Sequence, residues 1–111
     1  CYGGWVVNNL AVQMGPDLNA GVPFYGTAPA PEDVVKIQAP LLIQYAENDP
    51  RVNASREAYR TALEKHKKDF RMHIYEGTRH GFHNNSTPRY DEEQAKVAWE
   101  RTISFFKQHL N

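Results

Sequence analysis

The sequence holds one cysteine in 111 residues, and this scarcity excludes an internal disulfide framework. A lone thiol fits a reducing compartment, so we expect a cytoplasmic location. Thirteen Lys and Arg residues balance thirteen Asp and Glu residues, which gives no electrostatic basis for binding nucleic acid or an anionic membrane. No apolar run is long enough to cross a membrane, and no signal-peptide pattern is present. These absences predict one small soluble domain, or a part of a larger one.

An initiator methionine is also missing, because the chain begins Cys1-Tyr2-Gly3-Gly4. We therefore expect the sequence to start inside a larger domain whose N-terminal part is not included. Apolar residues at spacings of three and four follow at once and end at Gly15-Pro16, which predicts a helix. Small residues at Gly3 and Gly4 allow a strand to turn sharply into such a helix. Cys1 is thus predicted to be a nucleophile displayed on a tight turn.

The rest of the chain alternates between strand and helix patterns. Apolar segments at 21–25, 40–46 and 70–75 predict strands. Helices are predicted at 31–35, at 53–67 with Asn53 as the cap, and over the last amphipathic segment. The apolar stripe of that last helix contains Ala95, Ala98, Trp99, Thr102, Ile103, Phe106 and Leu110. This order predicts the α/β class, with a parallel sheet of about three strands flanked by helices, in one partial domain over residues 1–111.

Polar residues that could take part in catalysis follow two of the predicted strands. Asp49 comes after the 40–46 strand, and His80 comes after the 70–75 strand in a long predicted loop over 76–90. The carboxyl ends of parallel strands lie at one edge of a sheet, so both side chains are expected near Cys1. Nucleophile, acid and histidine in that chain order are typical of α/β-hydrolases.

Each of these residues also has a simpler interpretation. An Asp before a Pro is often only a turn former, and a lone cysteine is often only a small buried residue. His80 and His83 lack further ligands at metal-binding spacing, so we expect no metal and no cofactor. Tyr25, Trp5 and Phe82 are candidates for lining a substrate pocket, although aromatic side chains are more often core residues. Tyr25 is favoured because its hydroxyl supplies a polar handle.

Taken together, the motifs resemble the C-terminal part of the dienelactone hydrolase family of α/β-hydrolases. The elbow Cys1-Tyr2-Gly3-Gly4, the acid turn Asn48-Asp49-Pro50-Arg51-Val52 and the histidine turn His80-Gly81-Phe82 carry the resemblance. It implies a Cys-His-Asp triad of Cys1, His80 and Asp49, with the Tyr2 backbone N–H as an oxyanion donor and a small ester or lactone as substrate. Tyr25-Gly26 is similar to a family position where a tyrosine faces the substrate. Asn84 stands where some members place a carboxylate-binding arginine, so dienelactone itself is not the expected substrate.

Two other functions stay open at this point. The chain could be an inactive hydrolase fragment or a self-associating interaction module, with an exposed sheet edge covered by a second copy or by the absent N-terminal half. It could also be an N-terminal-nucleophile hydrolase in which the α-amine of Cys1 is the base. That second alternative leaves Asp49 and His80 without a role. The isolated fragment is expected to be nearly inactive, because the family's second oxyanion donor would lie in the absent half.

Overall fold

The computed structural model describes residues 2–82 and 90–110, and of Tyr2 it describes the backbone alone. Four α-helices and two β-strands make up these residues, joined by short 3₁₀ helices at Gly15–Asp17 and Pro31–Lys36. The helices are α1 (Tyr2–Met14), α2 (Pro50–Asn53), α3 (Arg56–Lys65) and α4 (Glu92–His109), and the strands are β1 (Leu41–Asn48) and β2 (Phe70–Arg79). The alternation of helix and strand confirms the predicted α/β class.

The sheet is parallel, and β1 lies at its centre. Along β2, pairing runs from Leu41 opposite Phe70 to Ala46 opposite Tyr75. On the other side of β1, an extended segment over 21–24 forms only isolated parallel bridges. The sheet therefore has two strands in the described part of the chain, where the sequence predicted about three. Pro23 explains the difference, because a residue without an N–H interrupts the ladder even though its carbonyl accepts from Gln44 N at 3.0 Å.

Both faces of β1 are covered, and its residues 41–46 are all buried. Alternate side chains point to opposite faces of a strand. One face belongs to a core of Ala11, Val34, Ile37, Leu41, Ile43, Tyr45, Val52, Tyr59, Ala62 and Leu63. The opposite face contributes Ala46 to a second core with Tyr25, Tyr75, Phe82 and Ala98. A continuous apolar run is what burial on both faces requires of a parallel strand.

The helix predicted from Asn53 to about residue 67 is in fact two helices, and Asn53 does not cap it. Asn53 is the last residue of α2, and α3 begins at Arg56. The Asn53 side chain points back to the end of β1, where Nδ2 donates to the carbonyl oxygens of Ala46 at 2.9 Å and Glu47 at 3.0 Å. Short side-chain amides bond to whichever backbone groups the fold brings near, which a single sequence does not reveal.

Helix α4 matches the predicted final helix, but two residues of its predicted apolar stripe are wrong. The buried residues are Ala98, Thr102 and Phe105, whereas Trp99 is 62% exposed and Leu110, just beyond the helix, is 45% exposed. Asp91 caps the helix, since its Oδ1 accepts a hydrogen bond of 3.1 Å from Gln94 N. None of the helices in the described segments has the length and apolarity needed to span a membrane.

Candidate active site

Asp49 and His80 lie side by side at the carboxyl ends of the two neighbouring strands. Asp49 directly follows β1, and His80 directly follows β2. His80 Nδ1 and Asp49 Oδ2 are 2.5 Å apart. The Asp49 side chain is 8% exposed and the His80 ring is 31% exposed. A buried carboxylate on Nδ1 orients the imidazole and leaves Nε2 on the opposite side of the ring, where a partly exposed base can meet a reactant.

The Asp49 carboxylate is available to His80 because it does not cap the helix α2 that follows it. Asp49 stands at the N-cap position of α2 with φ −144° and ψ 71°, yet its side chain makes no capping hydrogen bond. An Asp at this position usually accepts from backbone N–H groups of the first turn. Here α2 is only four residues long, so a capping bond would stabilise little helix. The carboxylate can therefore be directed across the strand ends.

A bulge in β2 brings His80 level with Asp49. Ala46 pairs with Tyr75, but Asn48 pairs with Arg79, so β2 uses four steps where β1 uses two. Gly77 lies in the bulge with φ +71°, a left-handed conformation that suits glycine. Bulges beside active sites commonly redirect a side chain. The sequence pattern predicted a loop from residue 76 and no bulge; the glycine inside the strand pattern was the available signal.

Tyr25 packs against the exposed part of this pair. Its ring centroid is 4.4 Å from that of His80, and the two planes are inclined by 55°. Tyr25 is 3% exposed and has φ +36°, and its N–H donates to the Gln44 carbonyl at 2.6 Å. A left-handed tyrosine is uncommon, and such strain concentrates at functional sites. The structure thus brings together Tyr25, His80 and Asp49.

Phe82 lies behind Tyr25. Its ring is fully buried, 6.0 Å from the ring of Tyr25 and 5.1 Å from that of Tyr75. Its carbonyl oxygen accepts a hydrogen bond of 2.9 Å from Asp91 N, which holds the chain close to the start of α4. This placement makes Phe82 a packing residue behind the site rather than an exposed wall in the described structure.

The start of α1 is set against the Tyr25-Gly26 turn. A Cβ atom added to Gly4 would lie 2.6 Å from Gly26 Cα, a distance that real Cβ atoms essentially never show. The first turn of α1 is therefore in backbone contact with the residues on both sides of Tyr25, the tyrosine that covers His80. The first N–H groups of an α-helix have no partner within the helix, and the Tyr2 N–H stands at this position in α1.

Of the other predicted site residues, only Trp5 has a described side chain. Trp5 lies on α1 and is 43% exposed. Cys1, His83 and Asn84 lie outside the described residues, as does the side chain of Tyr2. Across residues 2–82 and 90–110, no three His, Asp or Glu side chains are close enough to hold a metal ion.

Residues 1–110 match the model of the "Dienelactone hydrolase family". The chain belongs to this family. Its members are hydrolases of the α/β-hydrolase fold, and the resemblance inferred from the sequence motifs is thereby confirmed.

Curated proteins and solved structures agree with this assignment. The chain is 38% identical over 108 residues to a Saccharolobus solfataricus protein named "Putative carboxymethylenebutenolidase", covering 96% of this chain and 41% of that protein. It is 32% identical over 114 residues to protein usf of Aquifex pyrophilus, covering 99% and 49%. A Klebsiella pneumoniae crystal structure described as a "Putative Dienelactone Hydrolase" superposes with a TM-score of 0.89 at 27% identity, over 97% of this chain and 49% of that one. The chain thus spans about half the length of the relatives it matches.

Proposed function

We propose that this chain supplies the nucleophile, the acid and the histidine of a hydrolase that cleaves small carboxylic esters or lactones. In this proposal Cys1 attacks, His80 transfers protons and Asp49 orients His80. The observation that carries the proposal is the Asp49–His80 pair, a buried carboxylate bonded to a half-exposed imidazole at the ends of adjacent parallel strands. Family membership supports the general class of chemistry.

Acylation begins with the thiolate of Cys1. A residue directly before α1 stands at the positive end of that helix, which favours a thiolate, and His80 Nε2 accepts the thiol proton. The sulfur then forms a bond to the acyl carbon as the carbonyl electron pair moves onto oxygen. The Tyr2 backbone N–H donates to this oxyanion. When the oxyanion collapses, the C–O bond breaks and the imidazolium of His80 protonates the departing alkoxide.

Deacylation repeats the sequence with water. His80 removes a proton from a water molecule, whose oxygen attacks the thioester carbon. When the C–S bond breaks, the imidazolium of His80 gives this proton to the departing sulfur of Cys1, and the carboxylic acid is released. Asp49 stabilises the imidazolium in both halves of the reaction and keeps the ring in one tautomer. In a lactone the leaving alkoxide stays attached to the acyl group, so a single hydroxy acid is released.

The ring of Tyr25 would form one wall of the substrate pocket. It packs on His80 and carries a hydroxyl that can orient a substrate oxygen. Trp5 would contribute from the exposed side of α1, and Phe82 would support the wall from behind. The aromatic character of these groups suits a compact, uncharged ester or lactone. The rest of the pocket and the second oxyanion donor would come from other parts of the complete protein, and without them the 111 residues alone would be nearly inactive.

The test is ester and lactone hydrolysis by the complete protein, with p-nitrophenyl acetate and a simple five-membered unsaturated lactone as substrates. We expect Cys1→Ala and His80→Ala to lower kcat/KM by about a thousandfold or more, and Asp49→Asn by about a hundredfold or more. His66→Ala, which changes a histidine at the C-terminal end of α3, is the matched control and should leave the rate unchanged. Mass spectrometry should detect an acyl group on Cys1 during turnover.

Two results would favour the other functions. If His80→Ala retains full activity while Cys1→Ala has none, the triad is wrong, and the α-amine of Cys1 is the base provided that N-terminal sequencing finds Cys1 as the first residue of the active chain. If the complete protein hydrolyses neither substrate and no acyl group reaches Cys1, an interaction role becomes the better proposal.

A further inference from the structure

We propose that Thr78 is a positioning residue that holds the β2 bulge and thereby places His80 against Asp49. This inference rests on the proposed function for its kinetic consequence, but its structural basis is independent of that function. Thr78 is 1% exposed and lies two residues before His80. Nothing in the Cys-His-Asp chemistry itself accounts for a buried hydroxyl at this point.

The Thr78 hydroxyl joins both sides of the bulge. Oγ1 donates to the Tyr75 carbonyl at 2.6 Å, closing the bulge on β2 itself. The same oxygen accepts from Glu47 N at 3.3 Å, which ties the bulge to β1. The register is irregular between Ala46 and Asn48, where Glu47 has no paired residue on β2, and the Thr78 hydroxyl bonds the Glu47 N–H at this point.

A second link acts between the same two strand ends. Gly77 N donates to Glu47 Oε1 at 2.9 Å. Glu47 is exposed, whereas Thr78 is buried, so the hydroxyl is the better shielded of the two links. Glu47 lies two residues before Asp49, and Thr78 lies two residues before His80. The two linking residues, Glu47 and Thr78, therefore stand at equal sequence distances from Asp49 and His80, the residues whose pairing they support.

The chain provides a matched control in Thr102. This threonine is also buried, at 6% exposure, and its Oγ1 donates to the Ala98 carbonyl at 2.7 Å within α4. It also accepts from Gln44 Nε2 at 3.3 Å. Replacing either threonine by valine keeps the shape and removes a hydroxyl that bonds a backbone carbonyl. Only one of the two replacements acts on the link between β1 and the His80 turn.

The experiment compares Thr78→Val, Thr78→Ser and Thr102→Val in the complete protein. We expect Thr78→Val to lower kcat by about tenfold or more with little change in KM, because misplacing a catalytic group acts on the chemical step. Thr78→Ser should recover most of the rate. Thr102→Val should lose a comparable amount of thermal stability while keeping the wild-type kcat.

A spectroscopic measurement separates failure of this inference from failure of the proposed function. The proton between His80 Nδ1 and Asp49 gives a far-downfield NMR signal, which His80→Ala identifies by its loss. We expect Thr78→Val to remove or broaden that signal and Thr102→Val to retain it, whether or not the protein hydrolyses esters. Retention of the signal in folded Thr78→Val, or an equal loss of kcat in Thr102→Val, would overturn the positioning role. Should Thr78→Val fail to fold, Thr78→Ala removes the same hydroxyl with a smaller side chain, and an unchanged signal and rate there would overturn it equally.

Discussion

Gly4 and Gly26 meet backbone to backbone at the point where α1 crosses the Tyr25-Gly26 turn. A Cβ on Gly4 would lie 2.6 Å from Gly26 Cα, and a Cβ on Gly26 would lie 2.6 Å from Trp5 N. Both obstacles are main-chain atoms, which cannot rotate away as a flexible side chain can. The contact couples the start of the helix that follows Cys1 to the tyrosine ring that covers His80.

Replacing either of these glycines by alanine should therefore destabilise the protein strongly. We expect a loss in the free energy of unfolding of about 3 kcal/mol or more for Gly4→Ala and Gly26→Ala, at the upper end of overpacking costs. Gly77→Ala is the control, because it has φ +71° but no atom within 4 Å of the added Cβ. Its cost should be backbone strain alone, about 1 kcal/mol. Urea denaturation measures all three, and equal losses would show that α1 can shift to relieve the contact.

Two buried tyrosines should respond oppositely to loss of their hydroxyls. Tyr59 OH donates to Asn8 Oδ1 at 2.8 Å, whereas the buried hydroxyl of Tyr45 meets no hydrogen-bond partner among the described residues. Tyr59→Phe leaves Asn8 Oδ1 unpaired and should cost about 1–3 kcal/mol of unfolding free energy. Tyr45→Phe should be neutral or stabilising. A large loss for Tyr45→Phe would reveal a partner, such as a bound water, for its hydroxyl.

A buried polar group links β1 to both β2 and α4. Tyr75 OH donates to Gln44 Oε1 at 2.5 Å, and Gln44 Nε2 donates at 3.3 Å to the Ala98 carbonyl. We expect Gln44→Leu and Tyr75→Phe each to be destabilising and the double variant to cost less than their sum, with a coupling of about 1 kcal/mol. A double-mutant cycle from urea denaturation measures the coupling, and strict additivity would mean that the hydrogen bond contributes nothing.

His73 should make the protein less stable in mildly acidic solution. Burial, followed by the charges of Arg101 and Arg71, holds the pKa of His73 below its usual value. The unfolded chain then binds a proton near pH 6.5 while the folded chain does not, so stability is unaffected above that pH and falls as the pH drops below it. Glu100 also lines the cleft that holds these three groups.

We expect His73→Gln to reduce the decrease in melting temperature that the wild-type protein shows between about pH 7.5 and pH 5. His66→Gln is the control, since it changes a histidine at the end of α3, outside that cleft. Thermal denaturation across this pH range measures the effect. Identical pH profiles for wild type and His73→Gln would contradict the assignment.

The sequence was sufficient for the alternation of helices and strands in the α/β class and for the pair at the strand ends. Asp49 and His80 could be predicted to meet because each follows an apolar strand and parallel strands end at a common edge. The convergence of Cys1 with them stays a prediction, since Cys1 lies outside the described residues. The β2 bulge, the left-handed Tyr25 and the true role of Asn53 depend on contacts between segments distant in sequence, and residue periodicity carries no information about these.

Because β1 has neighbours on both sides, the two strands that carry the site residues should differ in how readily they open by local unfolding. Amide hydrogens exchange slowest where a strand is buried and bonded on both sides, and edge strands open at lower free energy. Asp49 follows β1, which has neighbours on both sides. His80 follows β2, which is paired on one side only in the described part of the chain. In native-state fluctuations we therefore expect Asp49 to keep its position, while His80 moves away from the carboxylate when β2 opens and returns when it closes.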